Sequence, residues 1–565
     1  MNCTFVRCFL TTPIFMQHKV LKVNPSDNVI VALRNLEAGE NIEFEGETYI
    51  LPRSIAAKHK FVTEDLEKGD HVTMYGVLVG KATQPIKRGE QITTFNLKHE
   101  SEEYSVSKRV PQTDWQAPDV SKWENRTFMG YHRSDGQVGT ANYWLVLPLV
   151  FCENRNILKL KEAFDKALGY AFPDVYLRQV EDLVHLHQKN GAAGIDTYNQ
   201  EVKTDSVGRR LFPNLDGIKF LTHESGCGEN NQDSELLAAL FAAYANNANV
   251  TGITVLSLGC QKTQFSDLMD EIKKRNPAFD KPVLMFEQQA YGTEFDMMSA
   301  AIKETFKGLI EANKLTRQPA PLSKLQIGLK CGGSDGFSGI SANPVLGHLS
   351  DLVVALNGTT YLAEFPELCG VEQELINRCV TTEKAEKFEY LMRDYAAKAE
   401  AVGAGFDMNP SAGNIKDGLI TDAIKSAGAA KKGGTAPIVD VLNYTELAKG
   451  PGLHLVCTPG NDVLATTGKA ASGTTIILFT TGLGTPTGNP ICPVVKVSTN
   501  TQLAQRMPDI IDFSCGEIIT GEKTIEQTAE DLLEYCISLA SGEILTKAQE
   551  LGQDDFMPWK RGVNL

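Results

Sequence analysis

From Phe128 onward the chain repeats one unit: a short apolar run, a glycine-rich loop, then an amphipathic stretch of helical length. The spacing predicts buried strands over Gly217 to Thr222, Ile253 to Leu258, Pro282 to Phe286, Leu325 to Leu329 and Thr359 to Ala363. Between them it predicts helices over Ser234 to Ala245, Phe265 to Lys274, Glu294 to Ala312 and Pro344 to Leu356. A strand covered on both faces reads as a continuous apolar run, and strand–helix–strand alternation closes as parallel α/β units with right-handed crossovers. The theme continues through 453–457, 474–480 and 493–498. It also indicates where chemistry belongs, because such sheets bind ligands beyond the carboxyl ends of their strands.

The stretch from Val20 to about Leu97 has another texture. Alternating residues punctuated by Gly39, Gly46, Gly69, Gly76, Gly80 and Gly89 predict a small β-rich module, in which DLEKGD at 65–70 and PIKRGE at 85–90 are turns that each feed a strand. Residues 98–125 are polar, carry Pro111 and Pro118, and show neither period, which predicts a linker. Residues 1–15 are apolar but are broken by Arg7 and Pro13 with no small-residue cleavage site after them, so they read as a frayed extension rather than a secretory signal.

Composition narrows the function. A net charge of −15 repels nucleic acid and anionic lipid over most of the surface, so an anionic ligand needs a local cluster of cations or a metal. The longest apolar run, from Ala141 to Cys152, is interrupted by Pro148 and is too short for a bilayer, so neither nucleic acid nor membrane is an expected partner. Twelve cysteines without a CxxC pair, in a chain of 565, read as reduced thiols in a cytoplasm.

Three of those cysteines fall just past predicted strands and beside glycine: Cys227, Cys260 and Cys331. If their strands share a sheet, the thiolates converge on one edge, where they suit iron or three corners of an iron–sulfur cluster. The other cysteines, Cys152 among them, read as packing residues. His223 sits beside Cys227 with Glu224, a pairing suited to ligation or proton transfer. The loop Cys331-Gly332-Gly333-Ser334-Asp335-Gly336 precedes a helix near Asn343, a setting for anion binding by backbone N–H groups, though its glycine spacing is not that of a dinucleotide fingerprint.

Taken together, GYHRSDGQVGTANYWLVLP, LSLGCQ, CGGSDGFSGISANP, EFPELCGVE at 364–372, PSAGNIKDGLIT at 410–421 and FTTGLGTPTGNPICPVVKV resemble the altronate and galactarate dehydratase family, from about Val20 to the C-terminus. The resemblance implies an α/β fold with an N-terminal SAF-type β-clip module over 16–100, a linker over 101–124, and two mainly parallel α/β domains over 125–315 and 320–565. It implies a metal-dependent hydro-lyase that takes the C2 proton and C3 hydroxyl of a sugar acid. The altronate branch is the nearer one, with galactarate or another sugar acid as alternative substrates and a non-catalytic sugar-acid sensor as the alternative of another class.

Set on that chemistry, Cys227, Cys260 and Cys331 are expected to hold Fe(2+), with Mn(2+) or an iron–sulfur cluster as alternatives. His223 is expected as base or fourth ligand, and Asp335 or Glu364 as acid toward the leaving hydroxyl. Substrate is expected to meet His59, Lys60, Lys330, Gly332, Gly333, Ser334, Asn343, Lys416 and Lys496, in a homo-oligomer whose partner is a small sugar acid. Many members carry His-x-His-Asn where this chain reads Thr93-Thr94-Phe95-Asn96, and Arg where Leu483 stands, so no metal or substrate role carries over to those two places.

Overall fold

A computed structural model describes residues 18–112, 114–196, 198, 209–562 and 564; the expected 1–15 extension lies outside them. Residues 20–98 form small antiparallel groups: Val20–Leu21, Val29–Ala32 and Lys60–Val62; Asn41–Phe44 with Glu47–Ile50; and His71–Met74, Val77–Ala82 and Leu97–Lys98. In each glycine turn the closing acid accepts an N–H from three residues back, Glu67 N to Asp70 Oδ2 at 2.7 Å and Lys87 N to Glu90 Oε2 at 3.1 Å. A third copy is present at Leu36 to Glu40, where Glu37 N donates to Glu40 Oε2 at 3.0 Å.

The expected strands form, and they make two parallel sheets, one in each of the two expected α/β regions. The first is parallel and runs in the order Gly217–Phe220, Tyr143–Pro148, Val250–Ser257, Val283–Glu287. The second, also parallel, has seven strands in the order Ile438–Leu442, Gly452–Val456, Thr359–Ala363, Gln326–Cys331, Ile476–Thr481, Val494–Ser498, Phe513–Ser514. The break has a local cause. After the helix Glu294–Ala312 the chain enters Gln318–Pro321, which pairs antiparallel with Thr127–His132, and its prolines 319 and 321 have no N–H to extend a ladder.

The two sheets are nonetheless packed together. Leu145, Val255 and Phe241 from the first share a core with Ile477, Phe479 and Cys492 from the second. Asn249 ties them by hydrogen bonds, accepting from Thr140 N at 2.8 Å and donating to Thr475 O and Ile491 O at 3.0 and 2.7 Å. A cavity of about 660 Å³ is lined by His223 and Ser225, from the carboxyl side of the first sheet, by Leu464 from the second, and by the tail Phe556 to Lys560. The N-terminal module docks on loops of the second sheet, and the polar stretch after it is pinned along the way by Trp115 Nε1 to Thr435 Oγ1 (3.1 Å) and Trp123 Nε1 to Glu534 Oε1 (2.9 Å). Among the described residues no helix is long and apolar enough to cross a membrane.

Candidate active site

The carboxyl ends of the central strands of the seven-stranded sheet converge on a cluster of buried charges. The strand Gln326–Cys331 delivers Lys330 and Cys331; the end of Thr359–Ala363 delivers Glu364 and, one turn on, Glu367. The helix Asp462–Ala471 adds Asp462 and Lys469, and the helix Asp422–Ala430 with the turn after it adds Lys425 and Lys432. Lys330 Nζ pairs with Glu364 Oε1 and lies 2.8 Å from Asp462 Oδ1. Lys425 Nζ is 3.0 Å from Glu367 Oε1, Lys432 Nζ donates to Cys331 Sγ at 2.7 Å, and the Cys331 thiol donates to Glu367 Oε2 at 3.2 Å. The side chains of Lys330, Glu364 and Lys469 are fully buried, whereas that of Asp462 is 29% exposed and marks the open side.

Glu364 has φ +73, a left-handed conformation that non-glycine residues adopt at a cost of order 1–3 kcal/mol and that clusters at functional sites. Its N–H donates to Thr458 Oγ1 at 3.1 Å, which fixes the bend and aims the carboxylate at the lysines. Two buried polar atoms of the cluster have no hydrogen-bond partner, Glu364 Oε2 and Lys469 Nζ, and they face each other at 3.7 Å. Native interiors pair such atoms, so an unpaired couple here marks a place for a bridging ligand or proton traffic.

Electrostatics divides the lysines into two kinds. Burial pulls Lys330 down, but Glu364, Asp462 and Glu367 push it well above its ordinary value. Lys425 and Lys432 are likewise raised, against burial, by Glu367 and by Cys331 respectively. Lys469 goes the other way: burial lowers it to about 8, opposed by Glu364 and reinforced by Lys330 and Lys432. Burial and Glu367 push the Cys331 thiol up to about 11, so it is a neutral donor. Glu367 is held well below its ordinary value, since Lys425, Lys330 and Lys432 outweigh its burial.

Several expected residues gather nearby. Gly332 and Gly333 let the loop close on its neighbours: a Cβ on Gly332 would stand 2.4 Å from Asp462 Oδ1, and one on Gly333, at φ +58, 2.6 Å from Thr485 Oγ1. Asp335 accepts from Phe337 N and Ser338 Oγ on one oxygen, and from Thr499 Oγ1 on the other, where Lys58 Nζ stands at 3.0 Å. It is a hub whose oxygens all accept, which corrects its expected role as a proton donor. The buried Ser334 offers its carbonyl to Asn414 Nδ2 at 2.8 Å. Lys60 Nζ donates to Gly418 O at 2.7 Å, His59 Nε2 meets Lys416 O at 3.1 Å and its Nδ1 meets Gln91 at 2.9 Å, so these two fasten the N-terminal module while the Lys416 side chain stays exposed.

Other expectations are not met. Asn343 is spent on packing, donating to Gly428 O and accepting from Thr480 Oγ1. Lys496 donates to Thr487 O, lies over the Phe479 ring, and is lowered to about 8 by burial. His223 is no base. Its Nε2 donates to Pro148 O at 2.8 Å, its Nδ1 accepts from Ser225 N at 2.9 Å, and burial holds it at about 4, so a neutral ring has no free lone pair. Cys331 does not join Cys227 and Cys260 because its strand is on the other sheet. The residue that does join them is Cys152, read from sequence as packing yet exposed.

The sequence reading also missed Glu367, Asp462, Lys425, Lys432 and Lys469. A signal was there: Lys425, Lys432 and Lys469 sit in DAIKSAGAAKKGG and DVLATTGKAA, segments dominated by small residues, where a lysine marks a buried cation.

Comparison with known proteins decides the family. Residues 18–100 match the altronate/galactarate dehydratase SAF domain, 130–313 the second domain of D-galactarate dehydratase/altronate hydrolase, and 322–564 the C-terminal D-galactarate/altronate dehydratase domain. The altronate dehydratase of Bacillus subtilis is 32% identical over 96% of this chain and 99% of its own, and that of Escherichia coli 32% identical over 93% and 95%. The chain belongs to the altronate/galactarate dehydratase family. Also similar are the Escherichia coli galactarate dehydratase (L-threo-forming), 28% identical over 94% of both chains, and the beta subunit of a (2R)-sulfolactate sulfo-lyase from Chromohalobacter salexigens, 28% identical over 77% of this chain and 97% of its own. This family member is therefore a sugar-acid dehydratase, a carbon–oxygen hydro-lyase.

The family's metal can be tested against two places. Among the described residues Cys331, Glu364 and Glu367 bring ligand atoms within 4.8 Å of one another. Lys330, Lys425 and Lys432 already pair with Glu364, Glu367 and Cys331, so a cation there meets like charge on several sides, and the set suits an anion better. The thiols of Cys152, Cys227 and Cys260 are free and exposed, and sulfur donors suit iron better than manganese.

Proposed function

We propose that the chain removes water across C2 and C3 of D-altronate to give 2-dehydro-3-deoxy-D-gluconate. The observation that carries this reading is the unpaired couple of Lys469 Nζ and Glu364 Oε2 inside a ring of fixed ammonium groups. A proton beside a carboxylate is weakly acidic, and its loss leaves a dianion that needs preorganised positive charge. Lys330, Lys425 and Lys432 supply that charge, all held protonated. Lys469, neutral above about pH 8, takes the C2 proton. Glu364 Oε2 relays it to the departing C3 hydroxyl, so the proton taken from carbon leaves in the water. The resulting enol then tautomerises by gaining a solvent proton at C3. Cys152, Cys227 and Cys260 would hold the iron, which would supply Lewis-acid polarisation of a substrate oxygen.

Substrate enters on the Asp462 side, against the backbone of Gly332 to Ser334 and the exposed Lys416. Lys58 ties the N-terminal module to this loop through Asp335 at 3.0 Å and Asp417 at 3.3 Å. Lys58→Met is expected to raise KM by up to about tenfold, worth ~1.4 kcal/mol, with kcat changed much less, as steady-state kinetics will report. The ten described cysteines are free, which fits a cytoplasmic setting. A homo-oligomer is supported by the helix Val175–Asn190, none of whose residues is buried and which shows Tyr176, Val180 and Val184 along one exposed face.

The test is to purify the protein without oxygen, add Fe(II) and D-altronate, and follow 2-keto-3-deoxy acid with galactarate in parallel. Preferred turnover of altronate supports the reading; preferred turnover of galactarate reassigns the substrate. Turnover of neither by metal-loaded protein overturns it in favour of a non-catalytic sugar-acid sensor.

A further inference from the structure

Three loops leave the carboxyl edge of the four-stranded sheet from neighbouring strands, and each carries one exposed free cysteine: Cys152 after Tyr143–Pro148, Cys227 after Gly217–Phe220, Cys260 after Val250–Ser257. The loops are sewn together by their backbones. Phe151 N donates to Ser225 O at 2.9 Å and Lys262 N to Gly226 O at 3.4 Å. Gly226, at φ +98, sits so close to the first loop that a Cβ there would lie 2.3 Å from Leu149 O. The three thiols are neighbours, Cys152 standing close enough to Cys227 and Cys260 to interact with both.

Spacing selects the kind of metal centre. A single tetrahedral ion with metal–sulfur bonds of about 2.3 Å holds its thiolates about 3.8 Å apart. Among the described residues the set with all ligand atoms within 4.8 Å is Cys331, Glu364 and Glu367, so at least one pair of the three exposed sulfurs lies farther apart than one ion requires. Corner ligands of a cuboidal iron–sulfur cluster are spread in this way, one thiolate per iron. Neither the neighbouring His223, both of whose ring nitrogens are engaged, nor the Glu153 carboxylate, which accepts from Asn156 Nδ2 at 2.8 Å, is free to act as a fourth ligand.

We propose that Cys152, Cys227 and Cys260 hold a four-iron, four-sulfide cluster by three thiolates, leaving one iron free for an oxygen ligand such as a hydroxyl or carboxylate. The site stands on its own geometry and not on the dehydratase reading. It lies beside the 660 Å³ cavity lined by Asn154, His223 and Ser225, which reaches Leu464, two residues beyond Asp462 of the lysine cluster. That places an oxygen-binding iron on the same side of the molecule as the cavity shared by the two sheets.

The experiment is spectroscopic. The full chain, purified without oxygen, is assayed for iron and acid-labile sulfide, for the broad visible sulfur-to-iron absorption, and for an electron paramagnetic resonance signal after dithionite reduction. The expected result is about four iron and four sulfide per chain, falling below about one in C152S, C227S and C260S and unchanged in C331S. Circular dichroism controls for folding, and a C152S/C227S/C260S triple variant that keeps its spectrum but loses colour strengthens the assignment. Colourless protein with one metal ion and no sulfide, or a cluster that survives C152S, overturns it. Colour without turnover of either sugar acid leaves the cluster standing and removes the dehydratase reading; turnover by colourless protein does the reverse.

Discussion

Lys469→Met is expected to lower kcat on D-altronate by about 10²- to 10⁴-fold, the usual contribution of a positioned general base, with KM changed only slightly. Lys469 is a buried amine without a hydrogen-bond partner, and the groups facing it are Glu364, Lys330, Lys432 and Cys331. Burial brings it to about 8, so it is protonated and incompetent below that pH and a free base above it. The wild-type rate should therefore climb as pH rises through about 8 and then level off. In the methionine variant that rising limb should vanish along with the rate. A merely structural lysine would leave the shape of the pH profile intact.

Lys330→Met has a second large effect, on stability. Lys330 and Glu364 are both fully buried, and removing one partner of such a pair costs about 3–5 kcal/mol because the other charge is stranded. Lys432 and Lys469, at 3.8 and 3.7 Å from the other Glu364 oxygen, keep part of the attraction, so the loss is expected at the low end of that range. The double variant K330M/E364Q removes both charges and is expected to regain part of the thermal stability, since Glu364 is no longer stranded while Lys432 and Lys469 lose it as a counter-ion. It should remain inactive, because the charge that holds the dianion and the proton relay are gone together. Thermal unfolding beside steady-state kinetics separates the two: recovered stability with recovered activity would show the pair to be only structural.

How much of this was legible in the sequence depends on the kind of interaction. Strand and helix periods located Gln326–Cys331, Thr359–Ala363 and the helix Glu294–Ala312 almost to the residue, because local burial writes itself into local pattern. The division into two regions was legible, but which cysteines share a sheet edge was not, since the exit from the first sheet rests on the pairing of Gln318–Pro321 with Thr127–His132, nearly two hundred positions apart in sequence. That long-range pairing also decided the cysteines: Cys331 went to the second sheet and Cys152 took its place. Glu364 was identified from the EFPE segment, yet its lysine partners come from three separate elements, and no spacing rule links Lys330 to Lys469. His223 looked reactive beside Cys227 because imidazole is versatile; the backbone carbonyl of Pro148 that uses its proton belongs to a different strand.

The most direct test of the account uses D-altronate deuterated at C2, followed by NMR with iron-loaded wild-type protein and with the Lys469→Met variant alongside. The account predicts a 3-deoxy product from the wild type with the label released to solvent, a slower rate than with the protiated acid, and almost no product or label release from the variant. Deuterium retained at C3 of the product, or label release by the variant at the wild-type rate, would contradict it.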